Sequence, residues 1–218
     1  MNRIIQNYKS RQTILDLLKK QGYNVDEYEG FSLNEIDTMT RNNTLDMFVT
    51  TSKVEEADAE DENFKKMYIK YEEFANTSRV ENAINDLFDN AHETKYQLRS
   101  SQDTLLIISN DDPNDKMQNY LATLYETQQR FVTIINIHRL LFNILEHDLQ
   151  PKEISILTPK QKAEFIKKFH IKNYTMELPE ISRFDPLALV LFLKPGEICR
   201  FVRDSPVAIT SEYYRVCV

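Results

Sequence analysis

The stretch Asp185-Pro-Leu-Ala-Leu-Val-Leu-Phe-Leu-Lys-Pro-Gly-Glu-Ile-Cys-Arg-Phe-Val-Arg203 reads as three elements in a row. Asp185 can cap a helix through its carboxylate, and Pro186 has the fixed φ suited to the first helical position. An apolar run fills the short helix that follows. Lys194-Pro195-Gly196 is a turn, with Gly196 supplying a positive φ that other residues resist. Ile198–Arg203 then alternates as a strand does. Its parity puts Ile198 and Arg200 on one side and Cys199, Phe201 and Arg203 on the other. The apolar alternation fails at Arg203, so the strand is expected to end there. Glu212–Cys217 reads as a second strand.

Upstream, Thr158-Pro159-Lys160-Gln161 is a capping box with proline at the first helical position, and its helix is expected to run to about Phe169. Composition shifts across Glu146–Glu153. Residues 1–150 carry 16 basic and 26 acidic side chains, net −10, whereas residues 151–218 carry 11 and 8, net +3. This asymmetry predicts two modules, 1–146 and 147–218. The acidic module should not bind nucleic acid through its net field, because phosphate binding rests on Lys and Arg.

In the first module, residues 3–21 read as an amphipathic helix with Ile4, Tyr8, Leu15 and Leu18 on one face, widened by Ile14 and Leu17, and Gly22 as its C-cap. Ser32 and Glu35 form a capping box for a second helix. Residues 45–51 and Met67–Tyr71 read as strands. Ser78 and Glu81 look like another capping box, with Val80, Ile84, Leu87 and Phe88 on the buried face. Thr104–Ser109 and Phe131–Ile137 are continuous apolar strands. Between them Asp112-Pro113 is expected to open a helix faced by Met117, Leu121, Leu124 and Gln128. Strand, helix, strand in this order is the pattern of a βαβ unit with parallel strands. The expected class is therefore α/β plus α+β, with helices around a mostly central sheet followed by a small α+β module.

The chain has 218 residues, 41% hydrophobic and 28% charged, which is ordinary for a globular protein. No run approaches the roughly 18–20 apolar residues of a membrane span, and the start lacks the apolar stretch of a secretory signal. Cys199 and Cys217 are too few for a disulfide framework or a zinc site, and they read as buried, reduced core residues. His92, His138, His147 and His170 show no metal-ligand spacing. The nucleophile-elbow and phosphate-loop motifs are absent. Glu93-Thr94-Lys95 has the acid-x-Lys form of a Mg²⁺ nuclease, but follows a helix instead of lying in an apolar strand. Glu55–Glu62, with six acids in eight residues, reads as a solvated loop. No catalytic, cofactor or metal site is expected.

The ordered set His147-Asp-Leu-Gln-Pro151-Lys152, Leu178-Pro179-Glu180-Ile181, Asp185-Pro186-Leu-Ala188, Leu193–Glu197, Ile198–Arg203 and Tyr214-Arg215-Val216-Cys217-Val218 resembles the assembly domain of the fifth common subunit of eukaryotic RNA polymerases and its archaeal counterpart. The N-terminal part is similar more loosely, through the helix ending at Gly22-Tyr23, the capped helix at Ser32 and the strand at Ile135–Ile137. The resemblance implies an N-terminal jaw domain and a C-terminal assembly domain. It implies a non-catalytic subunit, one copy per polymerase, anchored on the largest subunit among the other polymerase subunits. The jaw would lie near downstream duplex DNA, with no membrane contact. It points to Pro151, Leu178, Pro179, Asp185, Pro186, Gly196, Arg200, Arg203, Ser205, Tyr214 and Arg215 as partner-interface residues. Arg200 and Arg203 read otherwise as solvated. Ser205–Thr210 replaces a Ser-Glu-Thr and glycine-containing loop, and 138–146 looks like an insertion. These departures suit a divergent member. The location expected is the nucleus for a cellular owner, or host cytoplasm or virion for a large DNA virus. Two other readings stand beside this one: a stand-alone Mg²⁺-dependent nuclease-like protein, and a detached transcription adaptor.

Overall fold

A computed structural model describes residues 3–51, 65–89 and 96–218. The acidic stretch at 55–62, His92 and the Glu93-Thr94-Lys95 motif lie outside the described residues. The chain forms two compact units, Met1–Asn143 and Ile144–Val218. Both units mix helices with a mixed sheet, as the sequence predicts.

The first unit begins with α1 (Arg3–Lys20), β1 (Tyr23–Asn24) and α2 (Leu33–Arg41). β2 (Met47–Thr51) and β3 (Lys66–Tyr71) follow, then α3 (Thr77–Ile84), which continues as a π-helical turn, Asn85–Asp89. β4 (Thr104–Ser109), α4 (Asp115–Gln128) and β5 (Phe131–Asn136) complete the unit with a 3₁₀ turn, Ile137–Leu140. The five strands lie in the order β1-β2-β3-β4-β5. The first two pairings are antiparallel, while β3–β4 and β4–β5 are parallel. Every residue of β4 and β5 is buried. That is why their sequences are continuously apolar instead of alternating.

Two helix starts differ from the sequence reading. Ser78 is not a cap, because α3 starts at Thr77 behind Asn76, which places Ser78 already inside the helix. Asp112-Pro113 does not open α4. Asn114 does, its side chain accepting from the Met117 amide at 2.9 Å. Proline biases its predecessor toward extended backbone, and Asp112 instead pairs with Arg139 at 2.9 Å and accepts from Asn136. Gln128 is exposed, whereas Met117, Leu121 and Leu124 are buried. The inner face of α1 is more polar than its sequence suggests. Asn7, Ser10 and Arg11 are buried, while Ile4 and Tyr8 are half-buried. The Arg11 guanidinium donates to the Leu45 carbonyl at 2.9 Å and lies over the rings of Tyr28 and Phe31. Ser32 and Glu35 do form their capping box, and the predicted face of α3 is buried at Val80, Ile84, Leu87 and Phe88.

The second unit opens with a 3₁₀ turn, Ile144–Glu146, and β6 (Glu153–Ile156). Next come α5 (Pro159–Lys168), α6 (Tyr174–Glu177), β7 (Glu180–Ile181) and α7 (Pro186–Leu191), then β8 (Ile198–Ser205) and β9 (Ile209–Cys217). Its sheet runs β6-β8-β9-β7. β8 is antiparallel to both neighbours, and β7 joins β9 in parallel through only Glu180↔Val216 and Ile181↔Cys217. Phe165 of α5 packs on Ile198 and Val216, with Leu157, Ile166, Ile171, Tyr174, Leu178 and Tyr214 around them. β8 does not stop at Arg203, and β9 starts before Glu212. The two strands stay in register through Arg203↔Ser211, Asp204↔Thr210 and Ser205↔Ile209. Alternation reports burial, whereas backbone pairing continues where both strands are exposed.

Candidate interaction surface

The second unit holds all eleven residues singled out from the sequence, and the structure divides them by what their side chains already do. Leu178 and Tyr214 are part of the core packing around Phe165, with the Phe165 and Tyr214 ring centroids 4.3 Å apart. Gly196 is internal in its bonding. Its N–H donates to the Cys217 carbonyl at 2.9 Å, and its carbonyl accepts from Lys162 Nζ at 2.8 Å. Its φ of +87° is the positive value the turn needs. The Pro179 carbonyl accepts from the Val216 amide, and Arg215 reaches across to the Glu180 carbonyl at 3.3 Å. Pro151 is buried just before β6.

Asp185 accepts from the Leu187 amide at 2.9 Å and caps α7, with Pro186 in its first turn. Both are exposed. Arg200 is neither simply solvated nor unoccupied. It pairs with Glu212 on the facing strand and approaches Glu153 at 4.0 Å. The hydrogen bond from Arg200, then that from Tyr214, holds the Glu212 carboxyl below its ordinary range. Burial, then the bond to Glu212, pushes the Tyr214 phenol up. Arg203 stacks on the Tyr213 ring at 4.8 Å, and Ser205 Oγ accepts from the Ala208 amide at 3.2 Å. The structure thus brings Tyr214 and Arg200 opposite each other, with Arg215 and Pro179 at the adjoining β7–β9 edge. Arg203 and Ser205 lie further along the same hairpin.

Arg183, missed by sequence reasoning, is a buried charged residue between β7 and α7, its amide bonded to the Val218 carbonyl at 2.8 Å. Nothing in the local pattern distinguishes it from a surface arginine. The first unit has a polar cavity of about 540 Å³ at the end of β3, lined by Asn7, Asp46, Tyr71, Glu72 and Asn110 among others. Its charges are largely paired: Arg3 with Glu73, and both Lys70 and Arg79 with Glu72. Burial, opposed by hydrogen bonds from the Tyr71 amide and the Tyr68 hydroxyl, raises the Asp46 carboxyl above its ordinary value. Among the described residues no group of three His, Cys, Asp or Glu side chains could hold a metal ion. No described helix is long and apolar enough to cross a membrane.

A family model described as the C-terminal domain of RNA polymerase Rpb5 matches residues 142–217. The archaeal DNA-directed RNA polymerase subunit Rpo5 of Thermococcus kodakarensis is 40% identical over 77 residues, which are 35% of this chain and 90% of that protein. The chain belongs to the Rpb5/Rpo5 family of RNA polymerase subunits. The subunit rpabc1 of DNA-directed RNA polymerases I, II and III from Dictyostelium discoideum is 35% identical over 94 residues, 42% of this chain and 46% of that one. Its Caenorhabditis elegans counterpart is 33% identical over 79 residues, 36% of each chain. All eleven candidate residues fall inside the span matched by the Rpb5 domain.

Proposed function

We propose that this chain is a non-catalytic structural subunit of a multisubunit DNA-dependent RNA polymerase, with the second unit as its assembly domain, docking on the largest subunit. The observation that carries this reading is the near-complete coverage of archaeal Rpo5: a whole polymerase subunit corresponds to about a third of this chain. Physical considerations agree. A module of some 75 residues with a small core, and with both cysteines free, gains stability by mass action when it docks on a large partner. The first unit takes the role of a jaw near downstream duplex DNA, outside the chemistry of the polymerase. In a cellular owner the subunit works in the nucleus; in a large DNA virus it works in the host cytoplasm or the virion.

The docking surface is drawn best from the candidates that are exposed: Pro179, Asp185, Pro186, Arg203 and Arg215. Leu178, Gly196 and Tyr214 hold the fold on which these are displayed. Native purification of the tagged full chain from its source should bring down the two large polymerase subunits at one copy each. Recovery of the chain as a lone monomer would sink the reading. A substoichiometric, exchangeable association would favour a detached adaptor instead.

A further inference from the structure

The hairpin of β8 and β9 extends past its own sheet. β6 pairs with β8 only between Cys199 and Val202, and β7 pairs with β9 only at Val216 and Cys217. Beyond them, Arg203–Ser205 and Ile209–Ser211 form a two-stranded arm whose strands pair with each other. Three residues, Pro206-Val207-Ala208, close it. At this tip Val207 is 95% exposed and Ile209 is 85% exposed.

The tip is costly as it stands. Three-residue hairpin loops commonly end on a residue in the left-handed region, where glycine is the usual choice. Here the left-handed residue is Ile209, the first strand residue after the loop, with φ +62°. A β-branched side chain in that conformation is a genuine outlier, and such strain concentrates at binding sites. Two aliphatic side chains therefore stand in water, one of them on strained backbone, at the end of an arm too narrow to shelter them. The surrounding charge selects the partner. Lys152 pairs with Asp204 at 2.7 Å beside Arg203, and at the base of the arm Arg200 pairs with Glu212 and approaches Glu153, so three cations stand against three anions. A neutral collar offers nothing to phosphate groups, so it fits neither nucleic acid nor an anionic lipid surface. An apolar tip inside a balanced polar rim is the layout of a protein–protein anchor.

We infer that the Val207–Ile209 tip is a docking finger that inserts into an apolar pocket on another polymerase polypeptide. This rests on the proposed subunit role and adds to it a specific anchor. The opposed signs of its two effects make it testable. Ile209→Gly removes the strain and the side chain together. The isolated full chain should then melt at a higher temperature, while its affinity for the polymerase core falls. Val207→Ser should weaken assembly without altering the melting temperature, and the double variant should lose at least ten-fold in affinity.

The measurement is competition of tagged variant and wild-type full chains for assembly into the polymerase, with a photo-crosslinker at position 207 in the assembled enzyme. Crosslinking to a polymerase polypeptide, with weakened assembly of both variants, is the expected result. Assembly at wild-type strength overturns the finger. So does crosslinking to DNA, to lipid or to a second copy of this chain. Should the wild-type chain itself fail to assemble, the subunit reading falls and the finger falls with it. Wild-type assembly with indifferent variants removes the finger alone.

Discussion

At the scale of single residues, the two cysteines illustrate how burial sets chemistry. Cys199 and Cys217 are almost wholly inaccessible, and burial pushes each thiol up to about 12. The Cys217 Sγ lies 3.7 Å from the Leu193 carbonyl, a length suited to a weak S–H bond. Thiolate is the reactive form, so the native protein at pH 8 should resist iodoacetamide, while the chain in strong urea takes two additions by mass spectrometry. Rapid labelling without denaturant would contradict this. The proton linkage has a definite sign. An unfolded thiol releases its proton near pH 8.5, about the reference value, while the folded one keeps its own to about 12. The native state then binds more protons, so stability falls as pH rises through that interval and is flat in this respect below it. Replacing both cysteines with alanine should shrink the loss of stability between pH 7 and pH 10. The cysteines were legible because an apolar run announces burial. Arg200 was not, because its partners Glu212 and Glu153 lie on other strands, out of reach of any local pattern.

At the scale of elements, the caps show which signals travel from sequence to structure. Ser32, Thr158 and Asp185 each cap the helix expected of them, because the interaction is local and no better donor or acceptor stands nearby. Ser78 and Asp112 fail for one shared reason. An asparagine two residues from each, Asn76 or Asn114, takes the position before the helix instead. Asp185 also belongs to the proposed docking surface, so its structural part needs to be separated from its contact part. Asp185→Ala should cost about 1 kcal/mol in urea unfolding of the full chain, whereas Asp185→Asn, which can still accept from the Leu187 amide, should cost only a few tenths. Equal losses in both variants would show that charge, not capping, matters to stability. The arm at the end of β8 and β9 was illegible for a different reason: both of its faces are exposed, so no alternation marks where pairing ends.

At the scale of the whole molecule, the units found in the structure redistribute the charge that the sequence suggested. Divided at Asn143, the first unit has 16 basic and 24 acidic side chains, and the second has 11 and 10. The second unit is therefore nearly neutral, because Glu146 and Asp148 belong to it. The first unit remains strongly acidic, and several of its cations are already engaged: Arg3 with Glu73, Arg79 with Glu72, Arg130 with Asp89 and Arg139 with Asp112. A phosphate would have to displace a carboxylate at each of these arginines, and the net field would oppose its approach. Counterion release, which drives nonspecific DNA binding, scales with the number of phosphates neutralised. The fragment 1–143, and the full chain outside the polymerase, should therefore bind a duplex at physiological salt no tighter than about 10⁻⁴ M, the weak end of nonspecific affinity. Fluorescence anisotropy with a labelled duplex, titrated at several salt concentrations, checks both the strength and the slope. Submicromolar binding with a steep decline in salt would mean that a local basic surface outweighs the acidic field. The proposed jaw would then grip DNA directly.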